Sequence, residues 1–274
     1  MLNDWKYLCN RIQTREGFYK ISPLPSSKIW KTVAAIAAIV VLAVGATIAV
    51  YEKGEISPKN NNIFSLQTPA GQKSKFILSD SSIVWLNAGS KLSYAENFNQ
   101  SNRIVNLQGE AYFEVKTLNN KPFMVKTQAY DVVVKGTKFN VSAYNDDDFA
   151  TTTLMEGSVE LLYQGETLIM KPGESLQLEV KSSKFTLNQV ESDQSKSWLE
   201  DKIEYDAITL AELLRRLSRQ YDVNIHLTTS TNAQRVFNIS LQNEETIGEV
   251  LQALSKIIPI QIKYEGRDIY ISNY

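Results

Sequence analysis

The sequence is poor in the residues on which many catalytic and metal sites depend. Its 274 residues include one cysteine, Cys9, and one histidine, His226. A single histidine argues strongly against a histidine-based catalytic triad or a multi-histidine metal site. A single cysteine leaves no intrachain disulfide, so burial of apolar side chains has to stabilise the fold. The net charge of −1 shows no basic excess of the kind that indicates nucleic-acid binding.

One stretch lacks charge altogether. Thr32–Tyr51 contains no charged residue over 20 positions. As a helix it would be about 30 Å long, which matches the hydrocarbon core of a bilayer. It also lacks the polar stripe of an amphipathic helix, and Trp30 and Tyr51 stand where aromatic rings anchor at the interfaces. The stretch therefore predicts one transmembrane helix, residues 32–51.

The charges flanking this span are unequal. Asp4 and Glu16 are outnumbered before it by six cations: Lys6, Arg11, Arg15, Lys20, Lys28 and Lys31. The positive-inside rule then predicts a cytoplasmic N-terminus, a single pass through the membrane and an exported C-terminal part. The alternative is a cleaved signal peptide with Thr47 and Ala49 before the cleavage site. The long apolar run and the long basic region disfavour that alternative.

Two short segments border the span. Residues 1–31 are too few for a core of their own and form a short cytoplasmic segment. Within it, Trp5, Leu8 and Ile12 share one helical face. Residues 52–62 contain a glycine, a proline and three consecutive asparagines, a composition typical of a linker.

Residues 63–187 follow a period of two, which predicts an all-β domain. In Arg103–Lys116, apolar side chains occupy alternate positions, and Gly109 allows a bulge or a close approach. Short apolar strands follow Gly157, Gly165 and Gly173 at even spacing. This repeat favours a solenoid-like or sandwich-like architecture, and ordinary hairpin turns are the alternative explanation.

Residues 198–274 change to a helical period and contain an internal duplication. Thr209–Leu214 aligns with Thr246–Leu251, 37 positions later, and both segments predict a capping box. Strands before and after each helix complete a βαβ–βαββ domain, with right-handed crossovers wherever the paired strands are parallel. The predicted core faces of the two helices are Leu210, Leu213 and Leu214 in the first and Ile247, Val250 and Leu251 in the second.

Five segments of the β region, taken in order, resemble the FecR domain. They are Val84–Leu92, Arg103–Val115, Lys121–Phe123, Gly136–Val141 and Glu156–Val159. FecR proteins are single-span anti-sigma factors or sigma regulators. They relay the occupancy of a TonB-dependent outer-membrane transporter to a cytoplasmic extracytoplasmic-function sigma factor. The resemblance implies a solenoid-like part followed by a small α/β part.

The C-terminal duplication resembles the C-terminal domain of FecR proteins of Bacteroidota, which is similar to the short N-terminal domains of secretins and TonB-dependent receptors. This resemblance implies that its helices bind a partner, the periplasmic signalling domain of a transporter, by docking on a sheet edge or a helix face. The family also has a larger helical cytoplasmic domain that holds the sigma factor. Only its last part, Trp5 to Ile12, is matched here, so we expect either a start further upstream or weak sigma binding.

The bond between Gly136 and Thr137 is the one candidate for chemistry that the resemblance adds. Some FecR relatives cleave themselves at a Gly-Thr bond by an N–O acyl shift, in which the threonine hydroxyl attacks the preceding carbonyl. The simpler alternative is that Gly136 provides a bulge and Thr137 starts the strand Lys138–Tyr144. We favour the simpler alternative because the sequence shows no adjacent base.

Other polar groups have ordinary explanations. Asp146, Asp147 and Asp148 lack the spacing of a calcium loop and are predicted to form a solvated turn. His226 is predicted to face solvent from a strand. Glu110 and Glu114 share one exposed strand face without a sign of the cleft that a glycosidase needs.

We therefore expect a regulator that is not an enzyme and that needs no cofactor or metal. It would work by protein–protein contacts, with regulated proteolysis releasing residues 1–50 as one mechanism of signal transfer. The alternative is a cell-envelope module that binds glycan or peptide and has no link to a sigma factor.

Overall fold

The computed structural model describes residues 27–54, 62–100, 102–118, 121–190, 194–200, 202–228, 233–242 and 244–273. Residues 1–60 and residues 61–274 form two compact units. The predicted helical face of Trp5, Leu8 and Ile12 lies outside the described residues, as does most of the linker.

The described part of the first unit is a long helix, α1 (Ser27–Gly54), which includes the whole predicted span. Its most apolar stretch, Trp30–Ile48, has a mean hydropathy of 2.2, and none of it is buried. Apolar side chains face outward on every side of this stretch, which is costly in water and favourable in lipid. By length and composition the helix can cross a membrane, and it fits single-pass anchoring.

The second unit begins with a β domain. In the described part of the chain its strands form one continuous sheet. They are β1 (Ile63–Gln67), β2 (Ser74–Ile77), β3 (Ile83–Leu86), β4 (Lys91–Ala95), β5 (Arg103–Glu114), β6 (Phe123–Lys126), β7 (Asp131–Val134), β8 (Lys138–Ala143), β9 (Phe149–Glu156), β10 (Val159–Tyr163), β11 (Glu166–Met170), β12 (Glu174–Glu179) and β13 (Lys184–Gln189).

Strand β5 divides this sheet into two halves. Its first part pairs with β4 and, in parallel, with β6, and this half, sheet A, also contains β1, β7, β10 and β11. Its second part, from Gly109 onward, pairs with β3 and β8, and this half, sheet B, also contains β2, β9, β12 and β13. One strand therefore belongs to both halves, and the sheet folds over at that strand.

The two halves share a single apolar core. Sheet A contributes residues such as Val125 and Leu161, and sheet B contributes Phe139 and Leu154. The Phe113 ring stacks on Phe139 at 5.0 Å between centroids. This arrangement is the sandwich-like alternative. The pairs of described strands in this domain are antiparallel except β5–β6, which favours the sandwich-like arrangement over a parallel β-helix.

The regularly spaced glycines of the β domain have different structural roles. Gln164 and Gly165 have φ of 49° and 86° and form the two-residue turn of the β10–β11 hairpin. Gly157 and Gly173 lie where the chain passes between sheets A and B. Gly109 lies inside β5 with φ of 104°, and a Cβ there would come within 2.4 Å of the Ser90 Oγ. The predicted close approach is therefore present.

The C-terminal domain follows a 3₁₀ helix, Gln194–Glu200, and has the predicted βαβ–βαββ order. Its elements are β14 (Ile203–Thr209), α2 (Leu210–Tyr221), β15 (Asn224–Leu227), β16 (Val236–Leu241), α3 (Ile247–Ile257), β17 (Ile260–Glu265) and β18 (Asp268–Asn273). However, β14 pairs with β16, whereas β18 pairs with β15 and β17. The strands flanking each helix lie in different sheets, so the expected crossover geometry does not apply.

The two helices bury the predicted faces. Five of the six predicted positions are at most 3% exposed, and Ile247 packs against them partly buried. The capping box is complete at α3, where Thr246 and Glu249 bond reciprocally. At α2, Thr209 accepts from the backbone N–H of Glu212, whose carboxylate instead binds Arg216 at 2.7 Å.

Candidate functional site

The Gly136–Thr137 bond lies just before β8. The Thr137 side chain is buried, and its hydroxyl donates to the Ser158 carbonyl at 3.1 Å. A carbonyl oxygen is not a general base, so this hydrogen bond does not activate the hydroxyl as a nucleophile. A Cβ at position 136 would lie 1.9 Å from the Thr117 Oγ1. Close packing alone therefore requires glycine at this position.

The three aspartates lie in the loop that joins β8 to β9, and they face arginines of α2. Arg215 Nη2 is 2.7 Å from Asp148 Oδ2. Arg219 Nη1 is 2.9 Å from Asp146 Oδ1, and Arg219 Nη2 is 2.7 Å from Asp147 Oδ1. The Asp147 side chain is only 2% exposed. The expected solvated turn is therefore an ion-pair cluster between the β domain and the C-terminal domain.

Arg219 contacts three loops of the β domain. Its guanidinium lies 3.8 Å from the centroid of the Tyr144 ring, a cation–π distance. Its carbonyl accepts from the Gly71 N–H at 2.8 Å, in the turn after β1. Its side-chain stem packs 3.9 Å from where a Cβ on Gly89 would lie. We call Tyr144, the three aspartates, Arg215 and Arg219 the clasp.

The protonation behaviour of the clasp follows from its contacts. Hydrogen bonds from Lys181 and Arg215 hold the pKa of Asp148 below its ordinary value. Burial raises the pKa of the Tyr144 hydroxyl, which donates to the Ala88 carbonyl at 2.9 Å. At neutral pH the aspartate is therefore ionised and the tyrosine neutral, as the ion pairs and the ring contact need.

A second set of contacts lies beside the clasp and centres on Glu110. Its two carboxylate oxygens accept from the side-chain amides of Asn87 at 2.8 Å and Asn140 at 2.9 Å. The Asn140 oxygen in turn accepts from the indole N–H of Trp198 at 3.3 Å. A chain of hydrogen bonds therefore runs from the β domain to the 3₁₀ helix that leads into the C-terminal domain.

The burial pattern along β5 shows where the polar contact between the two domains begins. In the first part of the strand, Asn106 and Gln108 are exposed between buried neighbours. In the second part, Glu110 and Tyr112 are buried as well. The prediction that Glu110 lies on an exposed face is therefore wrong. A period of two cannot distinguish a polar face that meets water from one that meets another domain.

A small cavity remains between the two domains. Its volume is about 20 Å³, and residues of both domains line it, among them Glu110, Tyr144, Tyr205 and Arg216. Such a volume is suited to a single water molecule rather than to a substrate. The Arg216 guanidinium lies over the Tyr205 ring at 4.6 Å. The interface is thus polar and closely fitted.

Comparison with known proteins agrees with this two-domain architecture. The family model for FecR protein matches residues 64–160, and the model for the FecR C-terminal domain matches residues 202–271. The chain belongs to the FecR family. No curated protein matches it. Membership of the FecR family supports a regulatory role, as an anti-sigma factor, rather than a catalytic one.

Two crystal structures share the fold. Both are of a candidate anti-sigma factor from Parabacteroides distasonis ATCC 8503, at 1.65 and 2.50 Å resolution. Each is 24% identical to this chain, with TM-scores of 0.72 and 0.73. They cover 77% and 78% of this chain and 99% and 100% of their own length.

The remaining residues of interest lie on the FecR C-terminal domain. His226 on β15 is 47% exposed, lies 2.9 Å from Asp268 and stacks on Tyr270, so it faces solvent as expected. Hydrogen bonds from His226 and Asn224 lower the pKa of Asp268. The described residues contain no cluster of metal ligands.

The predicted helix faces lie inside the domain, so their side chains hold the domain together and are not available to a partner. The side of α2 that carries Arg215 and Arg219 is also occupied, because these two side chains contact the β domain.

Proposed function

We propose that this FecR-family protein is a single-pass inner-membrane anti-sigma regulator. Its exported half receives a signal from a TonB-dependent outer-membrane transporter, and its cytoplasmic segment acts on an extracytoplasmic-function sigma factor. The observation that carries the proposal is the combination, in one chain, of a membrane-length apolar helix with a FecR domain and a FecR C-terminal domain.

The proposed partner outside the cell is the periplasmic signalling domain of the transporter. Residues 61–274 form one compact unit, so residues 62–274 can be tested as a separate protein. We expect immobilised residues 62–274 to retain the isolated signalling domain of a TonB-dependent transporter from the same organism. Retention of envelope oligosaccharide or peptide, without any signalling domain, would favour the alternative of a cell-envelope binding module.

The proposed orientation places the N-terminus in the cytoplasm. It is supported by the cationic excess before the span. Alkaline phosphatase fused after Tyr274 is expected to be active, since the enzyme needs the exported compartment, and fused before Met1 it is expected to be inactive. The reverse pattern would contradict the orientation.

The cytoplasmic output is tested by transcription. Deleting the gene is expected to change expression from a promoter that depends on the partner sigma factor, and the change should disappear when the full chain is restored. A single helix transmits a rigid movement poorly, so we propose that regulated proteolysis releasing residues 1–50 completes the signal. An N-terminal tag should then appear on a short fragment only when the transporter ligand is present.

Self-cleavage at Gly136–Thr137 is not part of this proposal, because the Thr137 hydroxyl is bound to a carbonyl oxygen. We expect a C-terminal tag to detect no fragment that begins at Thr137. A fragment that begins at Thr137 and that Thr137→Ala abolishes would show that the acyl shift takes place.

A further inference from the structure

We propose that the clasp couples the two exported domains into one cooperative unit and passes movement of the FecR C-terminal domain to β1, the strand that the linker enters. The coupling is a property of the fold. Its use in signalling rests on the function proposed above.

Each exported domain has its own apolar core. The core of the FecR domain contains residues from Leu78 to Leu178, and the core of the C-terminal domain contains residues from Ile208 to Ile271. Domains with separate cores and a polar contact move independently by default, unless something specific holds them together. Any cooperativity between these two must therefore come from the polar contact between them.

The clasp has the features of a strong polar contact. The Asp147 side chain is 2% exposed and the Arg219 side chain 15%. Charges removed from water interact through a lower effective dielectric, and separating them leaves each without a partner until water enters. The planar guanidinium of Arg219 also combines ion pairing with stacking on Tyr144, which a flexible lysine could not reproduce.

The clasp is connected directly to the start of the exported half. The Arg219 carbonyl accepts from Gly71 in the turn after β1. In the same region the Thr68 N–H donates to the Ser90 carbonyl at 2.9 Å, and the Gly89 N–H donates to the Pro69 carbonyl at 3.2 Å. Strand β1 pairs with β4 and is an edge strand of sheet A. Movement of α2 is therefore transmitted to the end of β1 through backbone hydrogen bonds.

Calorimetry of residues 62–274 tests the coupling. We expect one unfolding transition in the wild type and two in the double variant Arg215→Ala/Arg219→Ala, since each domain then unfolds on its own core. The matched control is Arg235→Ala, which removes an exposed arginine of the same domain and should leave one transition. Two transitions in the wild type, or one in the double variant, would refute the coupling.

A distance measurement tests the same inference without requiring the variant to be stable to heat. Cys9 is the only cysteine of the chain, so Lys91→Cys and Lys256→Cys, both at exposed positions, would be the only thiols in residues 62–274. Spin labels on them should give one narrow distance distribution, which Asp146→Asn/Asp148→Asn broadens. A broad distribution with the clasp intact would overturn the proposal whatever partner the protein binds.

Discussion

Replacing Arg103 by methionine is expected to lower the free energy of unfolding of residues 62–274 by about 3–5 kcal/mol. Arg103 begins β5, and its side chain and that of Asp80 are both fully buried, with 3.1 Å between Nη1 and Oδ2. The same guanidinium donates to the carbonyls of Lys116 and Lys121. The pair therefore holds the β2–β3 turn and the segment after β5 against the start of that strand.

The magnitude follows from what methionine leaves behind. Its apolar bulk fills much of the space, so a large cavity is avoided. Among the described residues, Asp80 then keeps two donors, the backbone N–H and the hydroxyl of Ser82, each at 2.9 Å, and it stays buried. The two carbonyls also lose their donor, at a cost of about 1–3 kcal/mol for each buried group that stays unsatisfied. The uncompensated carboxylate is the main cost.

Urea unfolding followed by tryptophan fluorescence measures this cost. The control is Lys138→Met, which breaks a pair with Glu156 whose side chains are 42% and 66% exposed; it should cost about 0–1 kcal/mol. The double variant Arg103→Met/Asp80→Asn should lose less free energy of unfolding than the two single variants together. The difference should exceed about 1 kcal/mol, because the two groups are in contact. Additive costs, or a loss no larger than that of the control, would refute the reasoning.

Three further predictions concern single positions. Gly109→Ala should lower the midpoint of urea unfolding far more than Gly165→Ala: both have positive φ, but only at Gly109 would the added Cβ collide with Ser90. Thr246→Ala removes the closed capping box of α3 and should cost about 1 kcal/mol in the same assay, and an unchanged midpoint would show that the cap does not matter. Because the folded-state pKa of Asp148 lies below its ordinary value of 3.8, its stabilising effect is complete above that value and is lost as pH falls through the lowered pKa. The spin-label distance distribution should therefore stay narrow at neutral pH and broaden only in strong acid; broadening near neutrality would contradict this assignment.

Features that depend on neighbouring residues could be predicted. The absence of charge in Thr32–Tyr51 identified the membrane-length helix, because every turn of such a helix meets the same apolar solvent. The repeat between Thr209–Leu214 and Thr246–Leu251 identified two helices and their core faces, because helix burial recurs every three to four residues. In the C-terminal domain the order of strands and helices followed from the same periodicities. Their pairing did not, since a period carries no information about which strand is the partner.

The sequence by itself determined the long apolar helix, the half-buried strand within Arg103–Lys116 and the two helices of the C-terminal domain with the faces that they bury. Only the tertiary structure decided the role of the polar residues between the domains. Arg219 and Asp146 are 73 positions apart, and their neighbours along the chain give no sign of the contact. A carboxylate that faces solvent and a carboxylate that pairs with a distant arginine have the same local sequence pattern. The clasp therefore became visible only when folding placed α2 beside the β8–β9 loop.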